Sequence, residues 1–264
     1  MRFETPRRRK RRLAIEAPFP QEWRVSLTDG MTHWSWLDSD EQARLEELVK
    51  GFLNDKRFEW SNGLAPSDEI RVLVAASACL LILGLERAYF RDVGSIIMYP
   101  TGVVVEGRRG SPSVRGLETE SIVPILGEAA LHGPMVIAWD SVRHAAAHPE
   151  TGHNVVYHEF AHKIDMADGA ADGTPPMTAQ LRDSWESIAE VEYVKLQEGR
   201  DRHPFLDPYG AVNRAEFFAV ATEFFFDQPI AMKRHLPDLY DVLCAFYNQD
   251  TAGRQSRASD RGAS

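Results

Sequence analysis

The run from Val72 to Leu85 is apolar on nearly every side, interrupted only by Ser77 and Gly84. A helix of that composition has no face to turn to water, so the remainder of the chain must wrap around it. At about 14 residues it falls short of the roughly 20 that a helix needs to cross a bilayer. Pro66, Ser67 and Asp68 precede it as start signals. Upstream, Trp34, Trp36, Leu37, Leu45, Leu48, Val49, Phe52 and Leu53 recur at mostly helical spacing and predict an amphipathic helix within residues 34–60, capped by Asp38 or Ser39. Downstream the pattern turns β-branched. Ile96 to Tyr99 and Val103 to Val105, punctuated by Pro100 and Gly102, predict two short strands. Gly107 to Gly116 reads as a loop, and Pro134 to Trp139 as a further strand. The expected fold class is α+β, mostly helical, with a small sheet.

The two ends differ in composition from this core. Arg7, Arg8, Arg9, Lys10, Arg11 and Arg12 form a run of like charges with little nearby to bury, which predicts a disordered basic arm over residues 1–18. The small, polar stretch at 249–264 reads as a disordered tail, leaving one domain over 19–248. A net charge of -9 argues against a nucleic-acid footprint over the whole surface. Leu13 to Pro20 contains Glu16, Pro18 and Pro20 and makes no export signal, while Cys79 and Cys244 make no disulfide framework. The expectation is a cytoplasmic protein with no membrane partner and no direct nucleic-acid partner.

Chemistry concentrates between Asn154, a natural N-cap, and Gly169, a natural helix stop. The intervening residues include His158-Glu159-Phe160-Ala161-His162. On a helix, two histidines four apart project from one face at a distance suited to one tetrahedral zinc. Glu159 stands one position round, where it can take a proton from a water that the metal activates and pass it to a leaving amine. Val155, Val156, Phe160 and Ile164 supply an apolar back to the same helix.

A catalytic zinc takes three protein ligands and keeps one position open. No third histidine follows at short range. Two acidic pairs downstream compete for the place, Glu186 with Glu190 and Glu216 with Glu223, and spacing alone does not choose between them. The second pair lies among Phe217, Phe218, Phe224, Phe225 and Phe226, where a carboxylate needs a partner. Glu216 reads equally as a ligand or as half of a capping box with Asn213. Asp165 reads equally as an acceptor that orients a ligand histidine or as a surface carboxylate, and Glu223 could serve as such an acceptor too. His132 and His153 read as incidental.

Several separate blocks of this sequence resemble the Mlc titration factor A family of bacterial zinc-dependent peptidases. They are Phe52-Leu53-Asn54-Asp55-Lys56-Arg57-Phe58, Ala75 to Leu83, Tyr99-Pro100, Gly133 to Asp140, His158 to Asp165, Ala215 to Val220 and Glu223-Phe224-Phe225. The resemblance runs from about Phe19 to Tyr247 and implies a zincin-like metallopeptidase domain. It implies one zinc per chain on His158, His162 and Glu216, with Glu159 as the catalytic base. The family site is also similar to that of the anthrax lethal factor catalytic domain, in which a tyrosine seven residues before the ligand glutamate faces the metal. Tyr209 holds that position here, and a phenol beside zinc can hydrogen-bond an oxyanion. The implied activity is hydrolysis of a peptide or protein substrate, with aminopeptidase-like cleavage as one form of it. The resemblance also implies an alternative, a regulatory protein that sequesters a transcriptional repressor and uses its zinc site mainly for stability.

Overall fold

A computed structural model describes residues 4–85, 89–101, 133–199 and 204–262. The helices are α1 (Pro6–Glu16), α2 (Gln21–Gly30), α3 (Thr32–Trp36), α4 (Ser39–Asp55), α5 (Asp68–Leu81), α6 (Trp139–Ala147), α7 (Val155–Asp165), α8 (Ala179–Gln197), α9 (Arg214–Asp227), α10 (Pro229–His235), α11 (Pro237–Tyr247) and α12 (Thr251–Gly262). Three strands, β1 (Arg57–Trp60), β2 (Ser95–Tyr99) and β3 (Met135–Ala138), form one parallel sheet in the order β1-β2-β3. This is a mostly helical α+β architecture with a small sheet, as the residue pattern predicts. The expected strand at Val103–Val105 and the loop at 107–116 lie outside the described residues.

The apolar run occupies the centre. From Val72 to Leu81 every residue of α5 is buried, with α4 and α2 on one side and α7 on another. Ser67 starts the helix by accepting the Ile70 N–H through its hydroxyl. The predicted helix at 34–60 is three elements. Asp38 closes a capping box with Glu41 that starts α4 afresh after α3. At its far end the chain turns extended, so Phe58 and Trp60, two apart and hence on one face of a strand, lie on β1 and not on the helix. Phe58 pairs with Ile96 and Trp60 with Met98, and Ile96 and Met98 pair with Met135 and Ile137, which puts one apolar row across the sheet, buried on β2 and β3 and half-buried on β1. β3 runs directly into α6 and touches α7.

Both ends are helical where disorder is expected. In α1, Pro6 stands at the first turn and Thr5 caps it, while the arginine repulsion is relieved by Arg11 pairing with Asp55 and Arg12 with Glu4 and Glu16. Lys50 Nζ donates to the Ala17 carbonyl at 2.7 Å and to that of Ile15, tying the helix end to α4. α12 is fixed by Arg254, only 4% exposed, whose Nε donates to Glu41 Oε1 at 3.0 Å. The other oxygen of Glu41 completes the α4 capping box, so one carboxylate joins the C-terminal helix to the start of α4. Among the described residues no helix is long and apolar enough to cross a membrane.

Candidate metal centre

Helix α7 begins where Asn154 Oδ1 accepts the Tyr157 N–H at 3.2 Å. It ends in a single tight turn at Met166–Asp168, and Gly169 then takes φ +99, a left-handed conformation that favours glycine. Val156, Tyr157, Phe160, Ala161 and Ile164 are buried, and Phe160 packs edge-on against Phe90 at 4.7 Å between ring centres. That buried back fixes the rotation of the helix. His158, 3% exposed, and the partly buried His162 are thereby turned to the opposite side, their rings nearly perpendicular and their Nε2 atoms 3.2 Å apart.

Glu216 comes to them from the first turn of α9, the helix that makes the most extensive contact with α7 among the described residues. Asn213 caps α9 by accepting the Glu216 N–H at 2.9 Å. The reciprocal half of a capping box is not made, because the Glu216 carboxylate is turned to the histidines. Its Oε2 lies 3.0 Å from His158 Nε2 and 3.3 Å from His162 Nε2. Three donors at the corners of a tetrahedron of 2.0–2.1 Å metal bonds would stand about 3.3 Å from one another. The observed triangle of 3.0, 3.2 and 3.3 Å therefore fits a single ion bound by two imidazoles and one carboxylate. Glu216 Oε2 is buried and takes no well-aligned hydrogen bond despite these close nitrogens, which suits an atom aimed at a shared point. Electrostatics agree with the geometry. Burial alone would raise the Glu216 pKa, but His158 and His162 outweigh it and hold the carboxyl well below the usual range. For His158 burial acts to lower the pKa, and the carboxylates of Glu216 and Glu223 override it and raise the pKa well above the usual value.

Glu223, two turns along α9, reaches the far side of the same ring. Its Oε1 lies 2.8 Å from His158 Nδ1 and its Oε2 accepts the Asn154 N–H at 2.6 Å. A carboxylate oxygen facing Nδ1 accepts from it, so in the neutral, metal-binding form of the ring the proton stays on Nδ1 and the Nε2 lone pair faces the donor triangle. Asp165 orients neither histidine and is not on the surface. It is fully buried and accepts the Gly173 N–H at 2.9 Å, while Trp185 Nε1 donates to the Gly173 carbonyl at 2.8 Å. A Cβ on Gly173, which sits at φ +79, would meet the Arg214 carbonyl at 2.2 Å, so this loop lies flat on the start of α9 just before Glu216.

Tyr209, in the short turn Pro208–Ala211, stacks at a tilt over His158 with 5.9 Å between ring centres. Its backbone N–H is held by Asp207 Oδ1 at 2.8 Å. Glu159 is partly exposed and close enough for its charge to help raise the His158 pKa. The rival carboxylates are elsewhere. Glu186 is exposed and Glu190 pairs with Arg214, and among the described residues the one group of His, Cys, Asp and Glu able to hold a metal ion is His158, His162 and Glu216. His153 lies 3.5 Å from Asp207, and His132 is outside the described residues.

The family model of the glucose-regulated metallo-peptidase M90 matches residues 5–248. The chain belongs to this family. A Synechocystis sp. relative, slr2042, is 33% identical over 236 residues, covering 88% of this chain and 86% of its own. Proteins named Mlc titration factor A are similar over nearly as much: that of Serratia proteamaculans is 30% identical over 226 residues, 84% of this chain and 85% of its own, and that of Salmonella paratyphi A is 28% identical over 256 residues, 91% and 95%. Membership points to a metallo-peptidase and hence to a bound metal, and the donor triangle is where this M90 chain has the residues for one.

A cleft of about 690 Å³ opens beside the C-terminal half of α7, between residues 89–93 and Met166, Met177 and Arg182, with Lys163 on its wall. Lys163 stands one turn beyond Glu159, and none of the three donor residues lines the cleft. The sequence offers Glu223 as an acceptor for a ligand histidine, and it lies against His158; what sequence reasoning did not find is its second grip, on the cap of α7. A carboxylate one helix-turn multiple from a ligand, placed among phenylalanines, was the available signal.

Proposed function

We propose that the chain is a zinc-dependent peptidase with a zincin-like site, in which His158, His162 and Glu216 hold one zinc per chain and Glu159 is the general base. The observation that carries this reading is the 3.0–3.3 Å triangle of two imidazole nitrogens and one carboxylate oxygen, a donor set of the kind catalytic zinc takes. Zinc bound there supplies Lewis-acid polarisation of the scissile carbonyl and lowers the pKa of the attacking water. Glu159, one residue from His158 and partly open to solvent, accepts the proton of that water and returns it to the amine that leaves. Tyr209, leaning over the His158 ring, donates its phenol proton as a hydrogen bond to the oxyanion. Glu223 keeps His158 in the tautomer that binds metal, and the buried back of α7 keeps the pair of histidines from turning away.

The test is hydrolysis of peptide and aminoacyl reporter libraries by the purified protein and by Glu159→Gln. The reading expects metal-dependent cleavage by the former and its loss in the latter, with metal content equal in both. Absence of cleavage across endopeptidase and aminopeptidase reporters by a metal-loaded protein counts against it. The name of the Mlc titration factor A relatives favours one further reading, a regulatory protein that sequesters a transcriptional repressor, with zinc holding α7 to α9. On that reading Glu159→Gln alters nothing measurable, because the structural ligands are intact.

A further inference from the structure

The buried polar chain behind the metal centre continues past Glu223. Asp227 lies one turn on along α9, 2% exposed. His33, at the same exposure, comes from α3 and places Nε2 3.1 Å from Asp227 Oδ1 and 3.2 Å from the Phe226 carbonyl. Asn154, 2% exposed at the cap of α7, is near enough to lower the Asp227 pKa, with no aligned hydrogen bond between the two. Its side chain can point only one way. Oδ1 is committed to the Tyr157 N–H, so the NH₂ is what remains to meet the carboxyl. Neither Asp227 oxygen takes a well-aligned hydrogen bond, and burial pushes the pKa up to about 6 while His33 and Asn154 pull it back. A carboxyl in such a place is unfavourable for folding on its own account, and an apolar side chain would fill the same space without that cost.

Asn154 is the shared element. Its side chain starts α7, its backbone N–H grips Glu223 Oε2, and Glu223 Oε1 holds His158 Nδ1. Residues from α3, from the cap of α7 and from α9 thus converge on one point behind the ring. We propose that Asp227, steadied by His33, is a positioning residue for the metal centre, orienting Asn154 so that the Glu223 carboxylate fixes the His158 tautomer with Nε2 free. The proposal rests on the assignment of His158, His162 and Glu216 as ligands.

The experiment is zinc affinity of the full-length protein by chelator competition, for wild type, Asp227→Asn, Glu223→Gln and the double variant. Changes behind a metal ligand typically weaken binding 10–100-fold. Asp227→Asn is expected to lose roughly tenfold, the low end of that range. If Asp227 acts through Glu223, the double variant binds no more weakly than Glu223→Gln alone, within about twofold. Thr222→Val, on the same helix α9 as Glu223 and Asp227, breaks the 2.8 Å contact with Tyr247 of α11 and is the control: its Tm falls and its zinc affinity does not. Should Asp227→Asn fail to fold, His33→Phe removes the partner of Asp227 and is expected to give a loss of the same sign, again absent on top of Glu223→Gln. Unchanged affinity in the folded variant, or losses that multiply in the double, overturns the proposal. A wild type that takes up no zinc removes the ligand assignment and this role with it, whereas wild-type binding with an unaffected Asp227→Asn removes this role alone.

Discussion

Replacing Glu223 with glutamine changes one atom and no volume, yet the site should not accept it. Both oxygens of Glu223 are in use as acceptors, one at 2.8 Å from His158 Nδ1 and one at 2.6 Å from the Asn154 N–H. Glutamine offers one oxygen and one NH₂. If its oxygen stays with Asn154, the NH₂ confronts His158, and the ring must either lose its partner or move its proton to Nε2, the atom that faces the metal. If the amide flips, the cap of α7 loses its acceptor instead. A buried donor left unmet costs about 1–3 kcal/mol, which corresponds to roughly 5–150-fold in an equilibrium constant. Because the proton on Nε2 competes directly with metal, most of this should appear in zinc binding, centred near the 10–100-fold typical of such partners. Chelator competition at neutral pH, with circular dichroism to verify the fold, measures it. A folded Glu223→Gln protein that binds zinc within about twofold of wild type would refute the reasoning, since this falls well below the range expected.

Tyr209→Phe should lower kcat by about 10²–10³, the usual effect of removing an oxyanion donor, and leave KM and zinc content nearly unchanged; steady-state kinetics on a cleaved reporter decides it. Arg254→Ala strands the Glu41 carboxylate that the C-terminal helix was neutralising, a loss of roughly 3 kcal/mol and thus a fall in Tm of about 6–12 °C in a protein of this size. Thermal melts of the two proteins test this, and a Tm shift under about 2 °C contradicts the role of α12 as a packed element. Asp165→Asn should flatten the pH dependence of stability. Burial raises the Asp165 pKa to about 7 from its ordinary 3.8, against the Gly173 N–H that lowers it. Between those values the unfolded chain has released this proton and the folded chain has kept it, so wild-type stability falls as pH rises from about 4 to about 7. The wild-type minus variant difference in melts across that window should shrink steadily with rising pH, and a constant difference contradicts the assignment.

His158 and His162 were legible because a four-residue spacing on a helix is local geometry, and Asn154 and Gly169 mark the ends of that helix in the residues themselves. Glu216 was named by the family resemblance but not by spacing, because α8 and a connecting turn lie between it and the histidines in sequence and its place after Asn213 is equally that of a capping residue. In the fold its backbone N–H serves the cap while its carboxylate lies against the histidines. Asp165 was misread for a related reason. Helical periodicity puts it on the histidine face, but the chain beyond Gly169 folds back and covers it with Gly173. β1 was missed because it is only four residues long and directly follows a helical pattern; Phe58 and Trp60 stand at the strand period, and pairing with β2 fixes the strand. The terminal helices were invisible to a reading based on apolar content, since α1 has no buried residue and α12 is held by the buried polar side chains Thr251 and Arg254. The grouping of His33, Asn154 and Asp227 comes from three distant segments and has no linear signature at all.

The central claim is that His158, His162 and Glu216 hold a catalytic-type zinc. Elemental analysis of the purified wild type beside His162→Ala, Glu216→Ala and Glu186→Ala tests it most directly. About one zinc per chain in wild type and in Glu186→Ala, with loss in the other two, is the predicted result. A wild type that takes up no zinc when it is supplied, or a Glu216→Ala protein that retains a full equivalent, would contradict the account.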